Sequence, residues 1–412
     1  MTNRTEQFDL YLRTKELGLI HAARVGLLEQ QGILSRMQLR YQPEYLAQPE
    51  AFALDPVQLP LGPQDITLLC SAGGLPGVLD DFLPDNWGRS VLARLAFYNQ
   101  QKHIRTQSPL DILAMLGNNR IGALQWVNKG GTPAYEQGAD ITAIAQAELV
   151  AQTIDSNDWH STSVDDFSLA YLANAGSGVG GARPKALVSE NGSAYLAKFN
   201  SLSKDTYNNA HVELACLNMA REAGLNVRHG KVITGINGRE VLLLERFDIE
   251  GEYRRHLITV NTMLKDSHTQ CDRGGAFNYE DVADLIKRFS ADPQTDLVQL
   301  LRIMLFNAAI HNTDDHERNF SFWQTDKGLG LSPAYDMVPT MATGQYHIAG
   351  YNYSPFPPKP TQITGQVFGL PAPLVKNIAQ QITTVINQWP AFAETAGVSL
   401  DDQRRLAPFI RA

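Results

Sequence analysis

Asp314 and Asn319 stand with four residues between them in the run His311-Asn-Thr-Asp-Asp-His-Glu-Arg-Asn319, and another carboxylate follows at Asp336. Moving a phosphoryl group from ATP to a hydroxyl needs one carboxylate to orient and deprotonate the acceptor. It also needs an amide oxygen and a second carboxylate to hold Mg²⁺ against the phosphates. The D-x-x-x-x-N spacing is that of a kinase catalytic loop, and about one β-hairpin of chain separates Asn319 from Asp336. Asp314 is therefore read as the catalytic residue, with Asn319 and Asp336 as the Mg²⁺ ligands. His316 is read as a neutral, loop-stabilising side chain bonded to the backbone or to Asp336, and is placed among the ATP-binding residues. A competing reading of the same run is a metal-dependent hydrolase built on His311, Asp314, Asp315 and His316, although two histidines five apart do not make a dedicated zinc spacing.

A kinase also needs a phosphate loop and a lysine. The run Gly176-Ser-Gly-Val-Gly-Gly181 fits G-x-G-x-x-G, in which glycines let backbone N–H groups approach phosphate oxygens. A flexible surface turn would look the same, and no Gly-Lys-Ser/Thr follows to make a Walker-type loop. Lys198, in Tyr195-Leu-Ala-Lys-Phe199, falls on the face of a strand opposite Ala197 and Phe199. It is read as a point charge on the α and β phosphates held by Glu213, against the alternative of a snorkelling edge-strand lysine. Lys185 is a rival phosphate ligand or a strand-edge solubility device. Glu245 and Phe247, in Glu-Arg-Phe-Asp248, are candidates for the hinge that meets adenine, or an ordinary strand end.

The elements that must position these groups follow from pattern. Short β-like runs at Phe8–Leu12 and Arg36–Tyr41 suggest a small sheet, and helical spacing appears at Val91, Leu92, Leu95 and Phe97 and again over 110–116. The cluster Asn128-Lys-Gly-Gly-Thr-Pro133 reads as a boundary. Helices are expected at about 140–152 and 164–174. A hairpin over 185–199 turns at Asn191-Gly192, a helix over 209–223 stops at Gly224, and a second hairpin turns at Asn237-Gly238. After Phe247 the pattern turns helical, at 279–289 behind the cap Asn278, 295–310, 373–389 and 400–410. The expected fold is α+β, a two-lobed protein-kinase-like fold. Residues 1–130 form a β-rich N-terminal subdomain, 131–250 an N-lobe with the glycine-rich loop, and 251–412 a helical C-lobe.

With 43 Asp plus Glu against 35 Lys plus Arg, the 412-residue chain has no electrostatic reason to bind nucleic acid on its own. Three widely spaced cysteines argue against a disulfide framework or a zinc site, and no apolar run approaches the length of a membrane span. A cytoplasmic protein without a membrane partner is the expectation.

Motifs along nearly the whole chain resemble the HipA family of bacterial toxin–antitoxin kinases. They include Tyr41-Gln-Pro-Glu-Tyr-Leu46, Phe82-Leu-Pro-Asp-Asn86, Asp111-Ile-Leu-Ala-Met-Leu-Gly117 with Ile121-Gly-Ala-Leu124, and Gly180-Gly-Ala-Arg-Pro-Lys185. Further on are Ala197-Lys-Phe199, Glu245-Arg-Phe-Asp248, Asn312-Thr-Asp-Asp-His-Glu-Arg-Asn-Phe320 and Leu331-Ser-Pro-Ala-Tyr-Asp336. The resemblance implies a serine/threonine protein kinase that uses ATP and Mg²⁺. It implies growth arrest through phosphorylation of a translation component, glutamyl-tRNA synthetase in the best-known relatives, and neutralisation by a HipB-like antitoxin through which alone DNA is met. Carried over by position, Gly178, Gly180, Gly181, Lys185, Lys198, Glu245, Phe247 and His316 would meet ATP. Relatives autophosphorylate a serine of the glycine loop; aligned on Gly180 and Lys185 that position is Gly178, which leaves the adjacent Ser177 as the candidate. A non-catalytic, pseudokinase-like corepressor is the alternative, opposed by the full set of Lys198, Asp314, Asn319 and Asp336.

Overall fold

The computed structural model describes residues 3–70, 74–100, 103–116, 120–134, 139–145, 148, 185–200, 205–234, 240–265, 276–341 and 345–412. The chain divides into two compact units, residues 1–197 with 246–273, and residues 198–245 with 274–412. The helix expected at 164–174, the glycine run 176–181 and the Asn237-Gly238 turn lie outside the described residues.

The first unit is built on a five-stranded antiparallel sheet in the order β4-β3-β2-β1-β5. Its strands are β1 (Arg4–Thr14), β2 (Gly18–Gln30), β3 (Ile33–Tyr41), β4 (Ile66–Leu69) and β5 (Leu124–Asn128). Alternation buries Phe8, Leu10 and Leu12 of β1 with Ala23, Val25 and Leu27 of β2 and Met37, Leu39 and Tyr41 of β3. Gln31 and Gly32 both take positive φ, 55° and 87°, the backbone of a two-residue turn that suits the twist of the strands it joins. Strand β2 escaped the sequence reading because Gly18, Ala22, Ala23 and Gly26 dilute its alternation.

A short β6 (Ala139–Asp140) lies parallel to β7 (Lys185–Glu190). β7 leads into β8 (Ser193–Phe199) through Asn191 at φ 50° and Gly192 at φ 80°, as the Asn-Gly signal predicts. The chain leaves this unit inside β8, between Ala197 and Lys198, and returns at Arg246. The returning segment departs from the helical pattern read after Phe247. It forms β11 (Ile249–Glu250), β12 (Tyr253–Arg254) and β13 (Leu257–Thr259) before a helical turn at Val260–Met263. Strands of two or three residues are too short to show a period.

The second unit holds the hairpin of β9 (Gly230–Thr234) and β10 (Glu240–Glu245), the hairpin of β14 (Ser321–Thr325) and β15 (Gly328–Leu331), and six of the described α-helices. Helix Asn209–Glu222 ends at Ala223, with Gly224 at φ 80° stopping it. Helix Tyr279–Phe289 starts in a capping box between Asn278 and Asp281. Helix Pro293–Ile310 is the centre of the core, with Leu300, Leu301, Met304, Leu305 and Phe306 fully buried. The helix read over 373–389 runs Ala372–Ile386, and a separate helix, Trp389–Thr395, begins where the reading ended, with Pro390 in its first turn.

Candidate active site

Everything in the catalytic run depends on how helix Pro293–Ile310 ends. His311 takes φ 57° and the Asn312 N–H reaches back to Asn307 O at 2.9 Å, a six-to-one closure that turns the chain off the helix axis into the loop. A non-glycine residue in that conformation costs roughly 1 kcal/mol, offset by the packing of the His311 ring 5.4 Å from Phe409.

Of the two adjacent aspartates, Asp315 is buried and fully engaged. It accepts from Tyr279 Oη at 2.7 Å and from the Ala349 N–H at 3.1 Å, and it meets His347 Nδ1 at 2.9 Å. Burial, reinforced by the Asp315 carboxylate, holds the Tyr279 phenol well above its ordinary range, so it stays a donor. Asp315 thus anchors the loop, and its neighbour Asp314 is left exposed at the surface. Asn319 folds back to donate from Nδ2 to Asp314 O at 2.6 Å, which closes the loop over the four intervening residues.

Lys198, the first residue of this unit, lies between two carboxylates. Its Nζ bonds Glu213 Oε1 at 2.6 Å, from the buried face of helix 209–222, and also bonds Asp336 Oδ1. Burial works to lower the lysine pKa, but Asp336 and Glu213 together outweigh it and hold the ammonium above its ordinary value. Lys198 thus draws two carboxylates, one from a helix and one from the segment after β15, to a single point. Asp336 itself has φ 54°, a left-handed backbone that Asp tolerates better than most residues. Its carbonyl accepts from Asn312 Nδ2 at 3.0 Å, and the same amide donates to Asn307 Oδ1 at 3.1 Å. Through Asn312 the end of the central helix fixes both the catalytic run and the Asp336 backbone.

A site for Mg²⁺ must offer oxygens free of other partners. Asn319 Oδ1 is such an atom, shut off from solvent with no hydrogen-bond partner, while its Nδ2 is spent on Asp314 O. An amide oxygen and the Asp336 carboxylate suit a hard cation. The competing metal-hydrolase reading of His311, Asp314, Asp315 and His316 gains no support from the geometry. Among the described residues no group of three or more His, Cys, Asp or Glu is arranged to hold a metal. Asp315 is saturated by its three partners, and His316 Nδ1 accepts the Arg318 N–H at 3.2 Å as the cap of a short 3₁₀ turn, the backbone bond expected of it.

Within the second unit, then, Lys198, Glu213 and Asp336 meet, and Asp314 and Asn319 meet. Glu245 also belongs to this unit, ending β10 with its N–H on His229 O at 3.0 Å. Phe247 and Lys185 belong to the first unit, and Gly178, Gly180, Gly181 and Ser177 lie outside the described residues. Lys185 is buried, 3.5 Å from Asp85, and so is not a solubility device on a strand edge. The Glu-Arg-Phe-Asp motif carries a structural part that sequence reasoning missed. Arg246 and Asp248 form a buried two-bonded pair at 3.0 and 2.7 Å, with Arg246 also donating to Arg120 O. Also missed were Asn307, Asn312, Tyr279 and His347, whose roles come from contacts distant in sequence and leave no periodic trace.

The profile of the HipA-like C-terminal domain matches residues 177–389, and that of the HipA N-terminal domain matches residues 19–127. The serine/threonine-protein kinase toxin HipA of Shewanella oneidensis is 23% identical over 284 residues, 63% of this chain and 62% of that protein. Y4mE of Sinorhizobium fredii is 29% identical over 182 residues, 41% of this chain and 37% of that protein. The chain thus aligns with less than two thirds of the length of either relative. A chain from the solved complex of the Shewanella oneidensis toxin–antitoxin system, HipA and HipB with operator DNA, has a TM-score of 0.66 at 19% identity. The match covers 98% of this chain and 94% of that one, and shows a shared α+β, kinase-like fold. Since the C-terminal profile spans just over half of its residues, this chain belongs to the HipA family.

Proposed function

We propose that the chain is an ATP- and Mg²⁺-dependent serine/threonine protein kinase, the toxin of a toxin–antitoxin pair, acting in the cytoplasm. Its target is a translation component of the aminoacyl-tRNA synthetase class, glutamyl-tRNA synthetase in the first instance. Its partner is a HipB-like antitoxin that supplies the DNA contact. The observation that carries the reading is Lys198 held between Glu213 and Asp336, in the same unit as an Asn319 oxygen left without a partner. The kinase toxin HipA of Shewanella oneidensis, similar along 63% of this chain, supports it.

In this mechanism Glu213 steadies Lys198, whose ammonium meets the α and β phosphates, while the glycine run around Gly178, Gly180 and Gly181 offers backbone N–H groups to them. Mg²⁺, held by Asn319 and Asp336, would neutralise charge on the phosphate oxygens. Lys185 adds a second cation, Glu245 and Phe247 meet the adenine, and His316 keeps the loop in shape. Asp314 orients the serine or threonine hydroxyl and takes its proton as the hydroxyl oxygen bonds to the γ-phosphorus. The bond from that phosphorus to the bridging oxygen breaks, and ADP leaves. Asp314→Asn keeps the shape and removes the base, so phosphoryl transfer should fall about 10²- to 10⁴-fold. Phosphoproteomes of cells expressing the unsubstituted chain and the variant would test this and identify the target; identical phosphorylation in both would refute the assignment.

A further inference from the structure

Beside the loop that carries Asp314 runs a second strip, Tyr346-His-Ile-Ala349. The Ile348 N–H donates to Thr313 O at 3.1 Å, the Ala349 N–H to Asp315 Oδ1 at 3.1 Å, and His347 Nδ1 lies 2.9 Å from Asp315 Oδ2. Burial alternates along both strips. Thr313, Asp315, His347 and Ala349 are buried, whereas Asp314, Tyr346 and Ile348 are exposed. The exposed Asp314 therefore lies between Thr313 and Asp315, the two residues bonded to the strip whose exposed side chains are Tyr346 and Ile348.

The apolar surface there is large and firmly held. Tyr346 is 62%, Ile348 43% and Phe356 52% exposed, and the Tyr346 and Phe356 rings sit 5.0 Å apart. The His347 N–H donates to Pro355 O at 3.0 Å and the Gly350 N–H to Phe277 O at 2.8 Å, so the segment behind these side chains is ordered. Clustered exposed apolar side chains mark contact surfaces, and an ordered one loses little entropy when it is covered.

We propose that Tyr346, Ile348 and Phe356 are a docking platform for the polypeptide being phosphorylated, and that they receive an apolar side chain next to the acceptor serine or threonine. This rests on the kinase reading above. The occupant follows from position. Whatever brings a hydroxyl to Asp314 arrives beside this strip, and hydrogen-bonded strips run about 5 Å apart, less than two residues of extended chain. A residue within two positions of the acceptor therefore reaches the platform, and its apolar surface is what the platform can reward.

The probe is a library of Ser/Thr peptides, degenerate at the flanking positions, incubated with the full chain and ATP with Mg²⁺. The unsubstituted chain should select Leu, Ile, Val or Phe at one position within two of the acceptor. Ile348→Asn and Tyr346→Ser should reduce that preference roughly tenfold, as loss of an apolar contact does in other binding pockets, through KM for the peptide. KM for ATP and basal ATP hydrolysis should not move, and Tyr346→Phe should retain the preference. Transfer with no apolar preference, or a preference unchanged in the two variants, would overturn the platform while leaving the kinase reading intact. So would light scattering that shows the unsubstituted chain as a dimer and Ile348→Asn as a monomer, since a second copy would then be the occupant. Absence of transfer to every peptide and protein would instead sink the kinase reading, and the platform with it.

Discussion

Two charge clusters, one in each unit, use similar side chains to different ends. In the first unit Arg246 and Asp248 face each other with both carboxylate oxygens bonded to the guanidinium, a third donor reaching Asp248 from the Gly122 N–H at 2.7 Å, and Arg254 adding its charge nearby. Burial would raise the Asp248 pKa, yet the arginines keep it below the ordinary carboxylate range. In the second unit Lys198 bonds two carboxylates, and one of those, Asp336, is still 19% exposed. The first arrangement is complete, so its removal is felt by the fold. The second keeps one of its carboxylates within reach of solvent, where a metal–nucleotide complex could meet it.

The comparison can be broken most severely at Asp248. Asp248→Ala strands Arg246 in a buried setting and should cost about 3–5 kcal/mol of stability in chemical denaturation. A cost under 1 kcal/mol would mean that the pair is not closed as described. Asp336→Asn should do the reverse, leaving Lys198 on Glu213 and the fold intact. Saturating ATP with Mg²⁺, at a hundredfold above Kd, should stabilise the unsubstituted chain by about 2.7 kcal/mol. Most of that increment should vanish in the variant, read as a lost thermal shift.

A buried carboxyl held by backbone N–H groups, with Lys265 only a minor influence, offers a third contrast. Asp55 accepts the Val57 and Gln58 N–H groups through Oδ1, but its Oδ2 has no partner, and burial raises its pKa from 3.8 to about 7. On raising the pH, the unfolded chain releases this proton near 3.8 and the folded chain only near 7. Stability should therefore be highest at the acid end of that window and fall as pH rises through it, by up to about 1.4 kcal/mol per pH unit. The difference between the unsubstituted chain and Asp55→Asn, followed by denaturation from pH 4 to pH 8, should show that slope; a flat difference would assign Asp55 an ordinary pKa. The smallest effect is expected at Asn312. Asn312→Ala removes two hydrogen bonds that hold Asp336 and Asn307, at about 1 kcal/mol each, and should lower transfer several-fold while the ATP-induced thermal shift persists.

The sequence was most readable where structure is local. The Asn278–Asp281 box marks its helix to the residue, and Asn191-Gly192 marks its turn, because each signal acts within four residues. The pairing of Lys198 with Glu213 could be anticipated from strand alternation followed by a helix. What could not be read was the choice between neighbours. Asp314 and Asp315 are the same residue type in sequence, and only Tyr279, His347 and Ala349 decide which of them is buried. Arg246 and Asp248 likewise appear as part of a strand end until Arg120 and Gly122, more than a hundred residues earlier, are brought to them.

The route of the chain also bears on synthesis at the ribosome. Because the second unit joins residues 198–245 to 274–412, its first portion must emerge and wait while the intervening segment completes the first unit. Vectorial folding would finish the β-rich unit once residue 273 is free, whereas the carboxylates and the lysine of the second assemble only when nearly the entire polypeptide has left the exit tunnel. A nascent or prematurely terminated product that stops short of residue 336 would then carry Lys198 and Glu213 without Asp336, and so would lack a complete candidate site.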